Sequence, residues 1–373
     1  MSENSKKQST ELSKRYSLQK HILTLLGLAI AMFYLLFMGF FGSNILKHLI
    51  SFVTVNEYLL IALYISLFII IIDVITIPLS FYRGFVLEHI YELSNQKISG
   101  WIKDELKKFL ISLPLVIAMV EILYIFLRNF PGSWWIFVTV IWIFFSVIMA
   151  KLAPVLIFPL FYKSVPLENK EVKEGLESLA EGTGINIQGV YKINLSKNTK
   201  KANAALAGIG STRRVLLGDT LLDSYTPAEI KSVFAHELGH HVYQHIWKML
   251  AIGTVSGFFG FAFCHLVLTK VIVVLGYQNI HDIAAFPAVC IALAVSGFIL
   301  LPIQNAISRR FERACDKYAI EKTNDPDAFI STMEKLAEQN LADRTPNRVV
   351  ELLFYSHPPI SKRIEMAKEH VQL

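Results

Sequence analysis

The chain has 373 residues, of which 53% are hydrophobic and 18% charged, with a formal net charge of +6 and a mean hydropathy of +0.46. That apolar share exceeds what a single soluble core of this length holds, so an ordinary soluble globular protein is excluded. The positive excess lies beside apolar segments, where anionic headgroups attract it, so membrane lipid is expected as a partner and nucleic acid is not.

The chain opens with a polar leader, 1–21, carrying Lys6, Lys7, Lys14 and Arg15. Six apolar segments follow, at 22–41, 58–81, 109–127, 134–161, 247–275 and 284–301, each near or above the roughly 20 residues that cross a bilayer. The first is too long for a cleavable signal peptide and is followed by no small-residue cleavage site, so it stays as an anchor. Connections then alternate sides. One set holds only Lys47, Arg128 and Lys270, while the other holds Arg83, Lys97, Lys103, Lys107, Lys108 and the whole of 162–246. The positive-inside rule places that second set, and both termini, in the cytoplasm. Asp73 and Glu121 lie inside spans, where a carboxylate needs either a wet wall or a satisfied partner.

The chain therefore divides into the leader, a four-span region 22–161, a polar insertion 162–246, a transmembrane hairpin 247–302 and a polar tail 303–373. A hairpin out and back returns both polar blocks to one face. Within the insertion, Leu167 to Glu181 has the helical spacing of Val172, Leu176 and Leu179, with Gly182 and Gly184 after it. Gln188 to Leu195 and Arg213 to Leu217 read as short strands. Asn203 to Gly208 is rich in small residues; on its own it reads as a loop, with an edge for an extended substrate as the alternative. Thr226-Pro227-Ala228-Glu229 is a capping box with Pro at the first helical position.

The helix begun there carries His236-Glu237-Leu238-Gly239-His240, the zinc-protease pattern HExxH. Residues i and i+4 share a helix face, so His236 and His240 can hold one ion while Glu237 addresses a water. A zinc hydrolase takes three protein ligands. The metzincin spacing fails, because Tyr243 and Ile246 stand at its Gly and His positions. His241 and His245 read as solvated or headgroup-facing imidazoles. Past the hairpin, Glu312 and Asp316 are spaced i, i+4, so Glu312 could complete a His2Glu site with Asp316 fixing the tautomer of a ligand histidine. The competing reading is an acidic pair neutralised by Arg309, Arg310 and Arg313 on a solvated helix. Ser356-His357-Pro358-Pro359 and Arg363 add cationic donors near the C-terminus, able to steady an oxyanion, or else form a structural turn. Three cysteines, Cys264, Cys290 and Cys315, have no paired spacing, which argues against a disulfide framework or a Cys-based zinc site.

Read in order, Phe85 to Glu88, Leu93 to Gln96, Pro159 to Phe161, Gly189 to Tyr191, Asn203-Ala204, Val215 to Leu222, Ala235 to His240, Ser308 to Glu312, Asp316 and His357 to Pro359 resemble the integral-membrane zinc-dependent CAAX prenyl proteases, related to HtpX-type membrane peptidases. The resemblance implies a mainly α protein: a polytopic bundle of about six transmembrane helices around a chamber, with a small α+β cytoplasmic zinc-metallopeptidase domain. It implies one Zn2+ per chain on His236, His240 and Glu312, with Glu237 as general base and Asp316 behind the ligands. Asn203 and Ala204 would line the substrate edge, and His357 and Arg363 would contact the substrate or its oxyanion. The substrate would be a peptide or protein, in the nearest case C-terminally prenylated.

Three departures are expected from the resemblance: the chain is read as lacking the first span of the eukaryotic relatives, and Asn198 to Ala202 and Cys315 differ from the family pattern, which has Ala at the latter position. The first of these sequence differences bears on prenyl preference. Alternatives are a quality-control protease of membrane proteins and a catalytically idle zinc-containing scaffold.

Overall fold

The computed structural model describes residues 3–371 apart from 186, 209, 211, 212 and 278. The first two and last two residues of the chain, within the expected leader and tail, thus lie outside the described residues.

Helices dominate. α1 (Glu3–Phe37) passes through a π-turn at Met38–Gly42 into α2 (Ser43–Ser51), so the polar leader is continuous with the first long helix. α3 (Glu57–Phe81) is capped by Asn56, whose side chain accepts from Leu59 N–H, and continues through a second π-turn into α4 (Leu87–Ile90). α5 (Ile98–Asn129) and α6 (Trp134–Leu152) follow, the latter running through a third π-turn into α7 (Phe158–Phe161). Among the described residues, six stretches are long and apolar enough to cross a membrane: Thr10–Ser51, Glu57–Ile90, Ile98–Asn129, Trp134–Phe161, His245–Leu275 and Ile283–Thr323. Their outward side chains include Phe33, Phe144, Val273 and Val274, apolar surface that lipid covers and water would not. Inside, Tyr64, Tyr124, Leu127, Trp134, Cys264 and Leu268 form one buried cluster. Asp73 is exposed and Glu121 has a buried Oε2 without a hydrogen-bond partner; no ion pair joins the two among the described residues.

The polar insertion folds as β1 (Ser164–Pro166), α8 (Lys170–Ala180), β2 (Val190–Ile193), β3 (Ala204–Ala207), β4 (Arg214–Gly218), α9 (Asp219–Leu222) and α10 (Pro227–Val242). Its four strands stand in the order β1-β2-β4-β3, which leaves β3 on an edge. Here the structure corrects the loop reading of Asn203 to Gly208. Ala-Ala-Leu-Ala has little strand preference of its own, and it is pairing with β4, Ala204 opposite Leu217 through Ala207 opposite Arg214, that makes it a strand.

α11 (His245–Leu275) and α12 (Phe286–Thr323) form the hairpin, and α13 (Pro326–Gln339), α14 (Arg348–Phe354) and α15 (Ile360–Val371) complete the chain. The return helix does not stop at the end of its apolar stretch. α12 is one helix of 38 residues, roughly 57 Å long, and its polar second half lies against α10. A membrane span and the segment bearing Glu312 thus belong to one continuous helix, with Pro302 between them.

Candidate metal centre

α10 is held at both ends of its burial. Thr226 Oγ1 accepts from Glu229 N–H at 3.3 Å and Glu229 Oε2 accepts from Thr226 N–H at 2.8 Å, closing the capping box. The same carboxylate takes hydrogen bonds from Ser331 Oγ at 2.6 Å and Lys335 Nζ at 2.7 Å, both on α13. Burial disfavours its charge, but these donors overcome that and lower its pKa. Ile230, Phe234 and Leu238 point into the core under the sheet, which turns His236 and His240 to another face.

That face meets α12 at very short range. A Cβ on Gly239 would lie 3.2 Å from Cys315 Cα, tighter than an ordinary contact, so glycine lets the two helices approach this closely without displacement. As a result Glu312 reaches both histidines: His236 Nε2 is 3.1 Å from Oε2 and His240 Nε2 is 3.4 Å from Oε1. One ligand atom from each of His236, His240 and Glu312 lies within 4.8 Å of the others. Glu312 Oε2 is buried and receives no hydrogen bond. A buried carboxylate with an imidazole nitrogen against each of its oxygens is costly without positive charge between the groups, so the donor set fits a metal ion. Glu237 is half-buried beside the cluster, and among the described residues nothing donates a hydrogen bond to it.

Behind His236, Asp316 is fully buried, with Oδ1 2.8 Å from His236 Nδ1. Burial disfavours the charged form of His236, but the Asp316 and Glu312 carboxylates on its two nitrogens outweigh it and raise its pKa to about 9. Positive charge is therefore favoured between these groups.

His357 and Arg363 separate. The His357 side chain is 58% exposed with Nε2 3.3 Å from Glu312 Oε2, on the open side. Arg363 is 8% exposed and donates from Nε and Nη2 to Asp316, so its contact is with the carboxylate behind His236. The residue spacing could not distinguish the two, since both follow the same turn.

Two readings change more sharply. His241 and His245 are buried, not solvated: His241 Nε2 meets the Leu206 carbonyl at 2.8 Å, and His245 Nδ1 meets His240 Nδ1 at 3.2 Å. Gln244, in the left-handed region at φ 56, reverses the chain and turns His245 back onto α10, which helical periodicity does not anticipate. Nor do the arginines neutralise Glu312 and Asp316. Arg309 is buried and donates to the carbonyls of Glu351 and Tyr355 at 3.0 and 2.6 Å, fixing the segment that leads to His357. The sequence offered no signal for this beyond an arginine one turn before Glu312.

Asn203 stands just before the edge strand. Its carbonyl accepts from Gly218 N–H at 3.0 Å, so by alternation Ala204 and Leu206 present their backbones off the free edge. Leu206 is already engaged by His241, which leaves Ala204.

A model of the CAAX prenyl protease N-terminal region with five membrane helices matches residues 1–163, and one of peptidase family M48 matches residues 166–371. The chain is 31% identical to the uncharacterized metalloprotease YhfN of Bacillus subtilis over 80% of its own length and 71% of that protein. It is 29% identical to CAAX prenyl protease 1 of Saccharomyces cerevisiae over 78% and 68%, and 25% identical to the human CAAX prenyl protease 1 homolog over 78% and 70%. The crystal structure of S. mikatae Ste24p superposes with a TM-score of 0.84 at 23% identity, over 96% of this chain and 88% of that one.

Proposed function

The chain belongs to peptidase family M48 and is a multi-pass membrane metallopeptidase, and we propose that it hydrolyses peptide bonds with one Zn2+ held by His236, His240 and Glu312. The observation that carries this reading is the convergence of one ligand atom from each of those three side chains, with the two imidazoles facing the two oxygens of a buried carboxylate. The nitrogen and oxygen donor set suits zinc, which when bound supplies Lewis acidity toward the scissile carbonyl and acidifies a water.

The remaining steps belong to the chain's own residues. Glu237, free of hydrogen bonds and open to the site, takes the proton of the attacking water and passes it to the leaving amine. His357, on the exposed side of Glu312, donates to the carbonyl oxygen as charge develops there. Asp316 fixes the tautomer of His236, and Arg363 fixes Asp316. The free edge at Ala204 pairs with the extended peptide, and Asn203 flanks it. The open carboxylate of Glu237 also opposes an idle scaffold, where the acid would have no task.

By charge asymmetry the catalytic face and both termini lie on the cytoplasmic side. Two of the relatives bear the name CAAX prenyl protease, which supports a C-terminally prenylated peptide as substrate. Hydrolysis of one peptide with and without a C-terminal farnesyl cysteine separates this from general membrane-protein quality control: a strong preference for the farnesylated form supports it, and equal rates favour the latter. For the reaction itself, a chelator should abolish cleavage and added zinc restore it, and cleavage that survives complete removal of metal contradicts the proposal.

A further inference from the structure

On the side of His240 away from Glu312, a second set of ligand atoms converges. One ligand atom from each of His240, His245 and Cys315 lies within 4.8 Å of the others, and His245 Nδ1 stands between its neighbours, 3.2 Å from His240 Nδ1 and 3.4 Å from Cys315 Sγ. Bonds of about 2.0–2.1 Å to imidazole nitrogen and about 2.3 Å to thiolate sulfur in tetrahedral geometry put ligand atoms roughly 3.3–3.6 Å apart. The observed spacings are close to that.

Hydrogen bonding alone leaves the cluster incomplete. A neutral His245 offers one lone pair at Nδ1, and two donors, His240 Nδ1–H and Cys315 Sγ–H, face it. Only one of them can be accepted. The three groups are also held in place independently of any ligand. Gln244 in the left-handed region aims His245 backwards, Phe311 stacks on its ring at 4.2 Å between centroids and 10° between planes, and Cys315 is pinned against Gly239.

We propose that His240 Nδ1, His245 Nδ1 and the Cys315 thiolate form a second metal site, for a borderline or soft ion such as Cd2+ or surplus Zn2+, whose occupancy switches the peptidase off. A thiolate with two imidazoles selects ions of this class. The inference rests on the reading in which His240 Nε2 holds the catalytic ion. Binding releases the Cys315 thiol proton and the His240 Nδ1 proton, so the ring bridges two cations. A second cation held on the same ring repels the first across it in a buried site, which makes the site a brake on activity when metal is in excess.

The test uses the full-length protein in detergent, loaded with one equivalent of zinc and titrated with cadmium. Activity should fall as a thiolate-to-cadmium charge-transfer band rises in the ultraviolet, both saturating at one added ion per chain. Cys315→Ala should keep its starting activity, show no such band, and need at least about tenfold more cadmium for half inhibition; Cys315→Ser, closer in size, should behave the same way. Inhibition of both variants at the parent's cadmium concentration, or binding without the band, overturns the proposal. Glu312→Gln should be inactive yet still develop the band. An active Glu312→Gln would instead overturn the catalytic reading, leaving the cysteine variants to decide the second site.

Discussion

Arg363 clasps Asp316 alongside His236, its Nε 2.8 Å from Oδ2 and its Nη2 on Oδ1, the oxygen that also faces His236 Nδ1, with both residues inside the protein. The pair joins α15 to α12 directly behind a proposed metal ligand, so the C-terminal helix takes part in setting the orientation of His236. Removing one partner of a buried ion pair strands the other and costs about 3–5 kcal/mol. Arg363→Ala is expected to lower thermal stability by that order. Asp316→Asn, which keeps the shape, should weaken metal affinity by about 10–100-fold, read by competition with a chelator.

Gly239 sets the separation of α10 and α12. Gly239→Ala places a methyl group 3.2 Å from the Cα of Cys315, a tight contact with backbone that a small separation of the helices, rather than a side-chain rotation, would have to relieve. A loss of about 1–3 kcal/mol is expected, together with weaker metal binding, because Glu312 moves away from both histidines. Adding Cys315→Ala should leave most of that loss in place, since the Cα remains; unfolding curves and metal content of the two variants check this.

Arg309 acts at one remove, through the carbonyls of Glu351 and Tyr355. Arg309→Met should retain metal but loosen the approach to His357. Losing one oxyanion donor typically slows turnover by about 10²–10³-fold, and a misplaced donor should reduce kcat/KM by less than that. Full activity of the variant would show that His357 needs no such support.

Glu229 gives an acid limb to stability. Its folded pKa lies below the unfolded value of about 4.3, so its contribution is present above that pH and is lost as pH falls through the folded value. Glu229→Gln should flatten the fall in melting temperature on the acid side and, by removing the partner of Lys335, lower it near neutrality. An unchanged acid limb would place the titration elsewhere.

The sequence showed the spans, the capped helix and the pair His236 and His240 because each depends on local periodicity or on a cap within one turn. Glu312, far along the chain, was legible only as an i, i+4 partner of Asp316, since the hairpin that returns it is a matter of tertiary packing. What could not be read was set by contacts between elements. β3 is a strand because β4 pairs with it, His245 is buried because one left-handed residue turns it, and Arg363 faces Asp316 because α15 docks on α12. Alternation and helical period carry no information on any of these.

The account rests most directly on Glu237 as the base beside an intact metal site. Zinc content and peptide cleavage, measured side by side on purified parent and Glu237→Gln, test it. The variant should hold one zinc per chain, as the parent does, and lose cleavage by at least about 10²-fold. A Glu237→Gln protein that keeps its zinc and cleaves as fast as the parent would contradict the assignment.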